Sequence, residues 1–277
     1  METKHQQQPQ QDIKKTIRKT YGKIALQDSN RDSGSSSSSC CAPGCCSGGV
    51  GGDSPAQATT VVGYETSELE SVPQASILGV GCGAPVKFAD LQRGETVVDL
   101  GSGAGIDVFL SAKKVRVDGR VIGIDMTDEM LERARRNAKE HGYTNVEFRK
   151  GDIEQRIPVD DNAADVVISN CVINLTMNKV DAFKEVYRIL KQGGGRMLIS
   201  DLVTDTEIVP TDADAQMWSS CIDGAFTKEH YIESIRQAGF QNVEVLNEQL
   251  YMDDEGGQVD GKRRRKISSV VIKAVKK

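Results

Sequence analysis

From residue 95 onward, apolar positions follow two rhythms that take turns along the chain. Short, nearly continuous apolar blocks lie at 95–100 (ETVVDL), 120–125 (RVIGID), 146–149, 164–169 (ADVVIS) and 195–202. Such blocks predict strands covered on both faces. Between them, 106–115, 128–140, 179–190 and 228–238 repeat apolar residues every three or four positions, which predicts helices. In 179–190 that spacing turns Val180, Phe183, Val186, Tyr187 and Leu190 to one side. Thr127 and Thr227 stand where helix N-caps belong, and Gly142 and Gly239 lie just past helix ends. Segments 243–246 and 268–275 predict closing strands. Strand–helix alternation of this kind predicts an α/β fold: a doubly wound sheet, mostly parallel, with an antiparallel closing strand.

The first sixty residues read differently. Ile13, Ile17, Tyr21 and Ile24 recur on one helical face, so 12–26 predicts a short docking helix. Residues 28–60 hold Ser35 to Ser39 and the run Cys40-Cys41-Ala42-Pro43-Gly44-Cys45-Cys46, with almost no large apolar side chain to bury. The expected division is an extension over 1–63, a sheet-forming domain over 64–203, and a segment over 204–277 that carries an insertion and the closing elements.

Charge narrows the functional classes. Thirty-five basic and 40 acidic residues give a net charge of −5. That balance argues against a nucleic-acid partner. The run 262–266 (KRRRK) reads as a solvated hairpin flank between the last two strands. No apolar run reaches the ~20 residues needed to span a bilayer, and the N-terminus is polar, so no membrane partner and a cytoplasmic location are expected. A monomer is the default. Of the seven cysteines, Cys82, Cys171 and Cys221 stand alone in structured-looking segments. In a reducing compartment such thiols read as ligands, nucleophiles or core residues before disulfides.

The chemistry concentrates at strand ends. Asp99 to Gly105 (DLGSGAG) closes the first strand and opens the first helix, where a ligand can approach glycines that lack a Cβ. Position 106 is Ile, so the G-x-G-x-x-G dinucleotide fingerprint is not met, which points away from a nicotinamide cofactor. Asp125 follows at the end of the second strand, placed to accept from two ribose hydroxyls, with Met126 beside it for an adenine face. Asp152 and Ile153 follow the third strand and Asn170 ends the fourth. Together these positions predict a site for a nucleoside-bearing ligand.

At this point the chain resembles the class I S-adenosylmethionine-dependent methyltransferases. Five stretches carry a narrower likeness: 78–85 (LGVGCGAP), 93–107 (RGETVVDLGSGAGID), 123–130 (GIDMTDEM), 169–175 (SNCVINL) and 218–226 (WSSCIDGAF). In order, they resemble the motifs of arsenite methyltransferases of the bacterial and archaeal type, over about residues 64 to 240. Ala84 departs from the Asn that relatives commonly have, and Asp223 occupies a variable position. The resemblance implies S-adenosylmethionine at Asp99, Gly101, Gly103, Asp125, Met126, Asp152, Ile153 and Asn170. It also implies trivalent arsenic, as arsenite or methylarsenite, on Cys82, Cys171 and Cys221. On that reading 64–203 binds the cofactor and 204–277 contains the metalloid-binding insertion. An external thiol reductant, thioredoxin or glutathione, is implied as well, together with a redox cysteine within Cys40, Cys41, Cys45 and Cys46 that relays to Cys82; the cluster reads equally as an independent metal or metalloid trap. Two other readings stay open: a carbon- or oxygen-methyltransferase of quinone or sterol type, which needs no three thiols, and a metalloid-binding sensor that moves no methyl group.

Overall fold

The computed structural model describes residues 4–27, 54–207, 218–219, 221–253 and 266–277. Five parallel strands follow from the apolar blocks: β1 (Thr96–Leu100), β2 (Arg120–Asp125), β3 (Val146–Lys150), β4 (Val166–Asn170) and β5 (Arg196–Thr204). Two more, β6 (Asn242–Asp253) and β7 (Lys266–Val275), complete a seven-stranded sheet in the order β3-β2-β1-β4-β5-β7-β6. β7 runs antiparallel to both neighbours and is the expected closing strand. Strand order reverses beside β1, with β2 on one side and β4 on the other. Ligand crevices in open α/β sheets form at such a point, beyond the carboxyl ends of the strands.

Side chains of β1 alternate between two apolar layers. Val98 and Leu100 face a core that includes Phe183, Val186 and Ile235. Val97 faces the opposite core, with Val108, Phe109 and Leu131. The helices supply these layers: α5 (Ile106–Val115) and α6 (Asp128–Glu140) on one face, α7 (Lys179–Ile189) and α8 (Lys228–Gln237) on the other. Gly142 (φ +68°) and Gly239 (φ +110°) take the left-handed conformation expected past α6 and α8.

Several boundaries differ from expectation. The N-terminal helix α1 spans Lys4–Leu26 rather than 12–26, and its expected apolar face does pack inward, with Ile17 fully buried. Three short helices precede the sheet: α2 (Pro55–Val61), α3 (Thr66–Glu70) and α4 (Pro85–Phe88). β4 starts at Val166 rather than 164, because Ala164 makes only an isolated bridge to Leu190. β6 runs to Asp253, well beyond 246. Register shifts at Val245/Asn247 and Leu250/Met252 break its alternation, so its polar half resembles a loop in sequence. The cysteine run 40–46, residues 208–217 of the expected insertion and most of the KRRRK flank lie outside the described residues. Among the described residues, no helix is long and apolar enough to cross a membrane.

Candidate functional site

The turn after β1 carries three residues in left-handed conformation, Gly101 (φ +67°), Gly103 (φ +51°) and Gly105 (φ +99°). They serve different needs. A Cβ on Gly101 would fall 2.2 Å from a Val172 methyl, so that glycine answers to packing against the loop after β4. A Cβ on Gly103 would meet nothing nearer than Met130 Sδ at 3.9 Å, which leaves an open cradle facing a cavity. Gly105 is the N-cap of α5. The cavity is walled by Asp99, Gly101, Gly103, Asp125, Met126, Asp152, Ile153, Asn170 and Cys171 among others, and α1 covers it with Lys14, Ile17 and Tyr21.

Among the described residues, five carboxylates line this cavity (Asp99, Asp107, Asp125, Asp152 and Glu154), against one basic residue, Lys14. Asp107 stands in the first turn of α5, where a phosphate would otherwise bind the helix N-terminus. The wall therefore suits a cationic, phosphate-free ligand. Asp125 is held in place by N–H donors from Gly103 (3.0 Å) and Thr127 (2.8 Å). Thr127 occupies the N-cap position of α6 as expected, yet its hydroxyl turns to Asp125 instead of capping the helix. Burial, aided by the charges of Asp107 and Asp125, pushes the Asp99 carboxyl well above the usual carboxylate range. Burial also raises Asp107 to about 6, although the Tyr64 hydroxyl donates to both its oxygens at 2.8 and 2.9 Å.

Three cysteines from distant parts of the chain meet beside this wall, all buried and unbridged. Cys171 leaves β4 in a left-handed conformation (φ +59°), its N–H donating to Ser200 O at 2.8 Å. Cys221, also left-handed (φ +66°), brings its thiol 2.9 Å from the Cys171 carbonyl oxygen. Non-glycine residues seldom adopt this conformation, and it gathers at functional sites. Cys82 sits between two glycines that the packing requires. A Cβ on Gly81 would fall 2.8 Å from Asn170 Nδ2, and one on Gly83 would fall 1.9 Å from Ser200 Oγ. The Cys82 and Cys171 sulfurs and an Asp201 oxygen lie within 4.8 Å of one another. The thiols of Cys221 and Cys82 beside it, together with burial, push Cys171 well above an ordinary thiol, and burial raises Cys82.

A methyltransferase domain model matches residues 91–239, more than half of the chain. The chain belongs to the methyltransferase domain family. The arsenite methyltransferase of Halobacterium salinarum is 44% identical over 195 residues, covering 70% of this chain and 49% of that protein. The arsenite methyltransferase of Aquipseudomonas alcaligenes is 36% identical over 186 residues, 64% of this chain and 52% of its own. The chain thus spans about half the length of the curated relatives it matches. The crystal structure of CrArsM, an arsenic(III) S-adenosylmethionine methyltransferase from Chlamydomonas reinhardtii, superposes with a TM-score of 0.60 at 29% identity, covering 79% of this chain and 72% of that one.

Within this methyltransferase domain, all eight residues expected to meet the cofactor line one cavity, and Cys171 joins them. Cys82 and Cys221 lie behind Cys171 in a small apolar cluster with Leu202, Ile222, Ala225 and Ile267. Asp152 is engaged by Lys14 at 2.7 Å. Asn170 spends its side chain on the protein: Oδ1 accepts from the N–H groups of Cys82 (3.1 Å) and Gly83 (3.3 Å), while Nδ2 donates to Gly83 O (2.6 Å) and the Tyr64 hydroxyl (2.8 Å). Sequence reasoning passed over Tyr64, Asp107, Lys179 and Asp201. Asp201 had left a signal, a carboxylate inside the apolar strand β5, and it is fully buried.

Proposed function

We propose that this chain catalyses methyl transfer from S-adenosylmethionine to trivalent arsenic held by Cys82, Cys171 and Cys221. The observation that carries this reading is the convergence of three buried thiols at an acidic cavity, with Cys171 in its wall and Cys82 and Cys221 behind it. S-adenosylmethionine, when bound, supplies a methyl group on a positively charged sulfur. The chain's carboxylates favour that charge, Gly103 leaves room for the ligand, and Asp125 presents acceptors for ribose hydroxyls.

Arsenite carries three hydroxyls. Each thiol that binds it gives up its proton, and the proton leaves with one hydroxyl as water. Three sulfurs then hold arsenic from one side and its lone pair points away from them. Soft thiolates suit this soft centre, and the lone pair needs no general base. The elevated thiols of Cys82 and Cys171 keep their protons until arsenic displaces them. Proximity supplies much of the rate. Methylated arsenic is formally pentavalent, and two thiols can return it to the trivalent state by forming a disulfide, which an external thiol reductant, one thioredoxin dithiol or two glutathione molecules, reopens.

The test uses purified protein, arsenite, labelled S-adenosylmethionine and a dithiol. Cys171→Ser and Cys221→Ser should each abolish methylated arsenic while leaving cofactor affinity within about twofold. Turnover retained in either variant overturns its role as a ligand. The proposed relay from Cys40, Cys41, Cys45 or Cys46 is tested by replacing all four with Ser. Truncation before Val61 would also remove α1 from the cavity and confuse the result.

A further inference from the structure

We propose that Cys82, Cys171 and Asp201 form a site for a borderline-soft divalent cation of the zinc class. The donors come from the turn before α4, the end of β4 and the middle of β5, so the folded chain has already brought them together. Tetrahedral zinc, with bonds of ~2.3 Å to sulfur and ~2.0–2.2 Å to oxygen, separates its donors by about 3.6–3.8 Å. The three donor atoms, within 4.8 Å of one another, stand within about 1 Å of that spacing.

Asp201 is built as a ligand. Its Oδ1 accepts from Leu202 N–H at 2.9 Å, and its Oδ2 from Asn174 N–H and the Tyr231 hydroxyl, both at 3.0 Å. An ionised carboxylate offers about four lone-pair directions, so these bonds orient it and leave one direction open. Two sulfurs, one carboxylate and a free fourth position form a zinc-type donor set, whereas trivalent arsenic prefers sulfur throughout.

The charges balance too. Lys179 is buried, with its ammonium over the Phe226 ring at 4.2 Å and Asp201 its foremost charged neighbour. Two thiolates and the Asp201 carboxylate carry three negative charges. A divalent ion and the Lys179 ammonium cancel them, which a buried site requires. Binding breaks two S–H bonds, forms two sulfur–metal bonds and releases two protons to solvent. Cys171 lines the cavity and gives the ion its route. Cys221 stays outside the set, its thiol turned to the Cys171 carbonyl. The site shares two thiols with the proposed arsenic site but does not depend on methyl transfer.

Cadmium is the probe, followed by thiolate-to-metal charge-transfer absorbance and calorimetry. The protein is the full chain with Cys40, Cys41, Cys45 and Cys46 replaced by Ser, since those thiols would also bind the ion. One ion per chain is expected. Asp201→Asn should weaken binding at least tenfold while the two-thiolate band persists, Asp201→Cys should raise the band by about half, and Cys221→Ser should change neither. X-ray absorption of zinc bound to the chain with Asp201 intact avoids any folding effect of those variants, and should show two sulfur neighbours with oxygen completing the shell. Three or more sulfurs, equal affinity of Asp201→Asn and its parent, or no bound ion would each overturn the site.

Discussion

Asn170 fixes Cys82 through the backbone: one carboxamide oxygen accepts from the N–H groups of Cys82 and Gly83 together, at 3.1 and 3.3 Å. The same side chain reaches Tyr64, whose hydroxyl is bound to Asp107. Cys82 is thereby aimed from the end of β4 rather than by its own loop. Asn170→Ala leaves those buried groups unpaired at about 1–3 kcal/mol each. The variant should lose about 2–4 kcal/mol in urea unfolding, and Cys82 should alkylate faster by mass spectrometry. An unchanged alkylation rate would show that the turn holds itself.

Asp125→Ala should weaken S-adenosylmethionine binding by roughly 1.5–3 kcal/mol in calorimetry, the scale of hydrogen bonds to a charged group. Because Asp125 also accepts from Gly103 and Thr127, part of this loss comes from a looser glycine turn. Asp125→Asn keeps one acceptor and should fall between the two. Equal affinity in all three proteins would remove Asp125 from the cofactor site.

Asp107 predicts a pH signature. Its carboxyl is raised from 3.8 to about 6 in the folded chain, so between those values the folded state binds more protons than the unfolded one. Its contribution is fully present below pH ~4 and is lost as pH rises through ~6. Asp107→Asn removes this dependence. Relative to the parent, the variant should gain up to about 3 kcal/mol between pH 4 and pH 7 in denaturant titrations. A gap that does not change with pH would mean that folding does not shift the Asp107 carboxyl.

Lys14 pairs with Asp152 at 2.7 Å and Glu154 at 2.6 Å. Lys14→Glu sets like charges against each other there and should weaken docking of α1 by roughly 1–2 kcal/mol. Limited proteolysis should then cut α1 from the body faster. Adding Glu154→Lys restores one opposite pair and should recover much of the protection. Equal cleavage in all three proteins would assign the docking to Ile17 and its apolar neighbours alone.

Where a residue serves its own element, the sequence shows its role. The blocks of β1, β2, β4 and β5, the glycines after α6 and α8, and the carboxylate ending β2 all announce themselves locally. Contacts between distant segments do not. Asn170 reads as one more polar residue at a strand end, and only the folded chain shows that its side chain is taken up by residues 87 to 106 positions away. Lys179 reads as an ordinary first residue of α7 but is buried against Phe226. The half of β6 beyond 246 escaped for another reason: on an edge strand with bulges and exposed side chains, it has no alternating apolar pattern to read.

The helix α1 meets the body through side chains on both sides of the cavity. Lys14 sits over Glu154, Tyr21 donates to Ser219 O at 3.3 Å near Cys221, and Arg133 grips the carbonyl oxygens of Ala25 and Gln27 at 2.8 Å. Among the described residues, side chains and loop carbonyls rather than strand hydrogen bonds make these contacts. A ligand bound beneath Lys14, Ile17 and Tyr21 would be covered by this helix on one side. Substitutions in α1 that never touch a ligand are therefore expected to change how long it stays in the cavity.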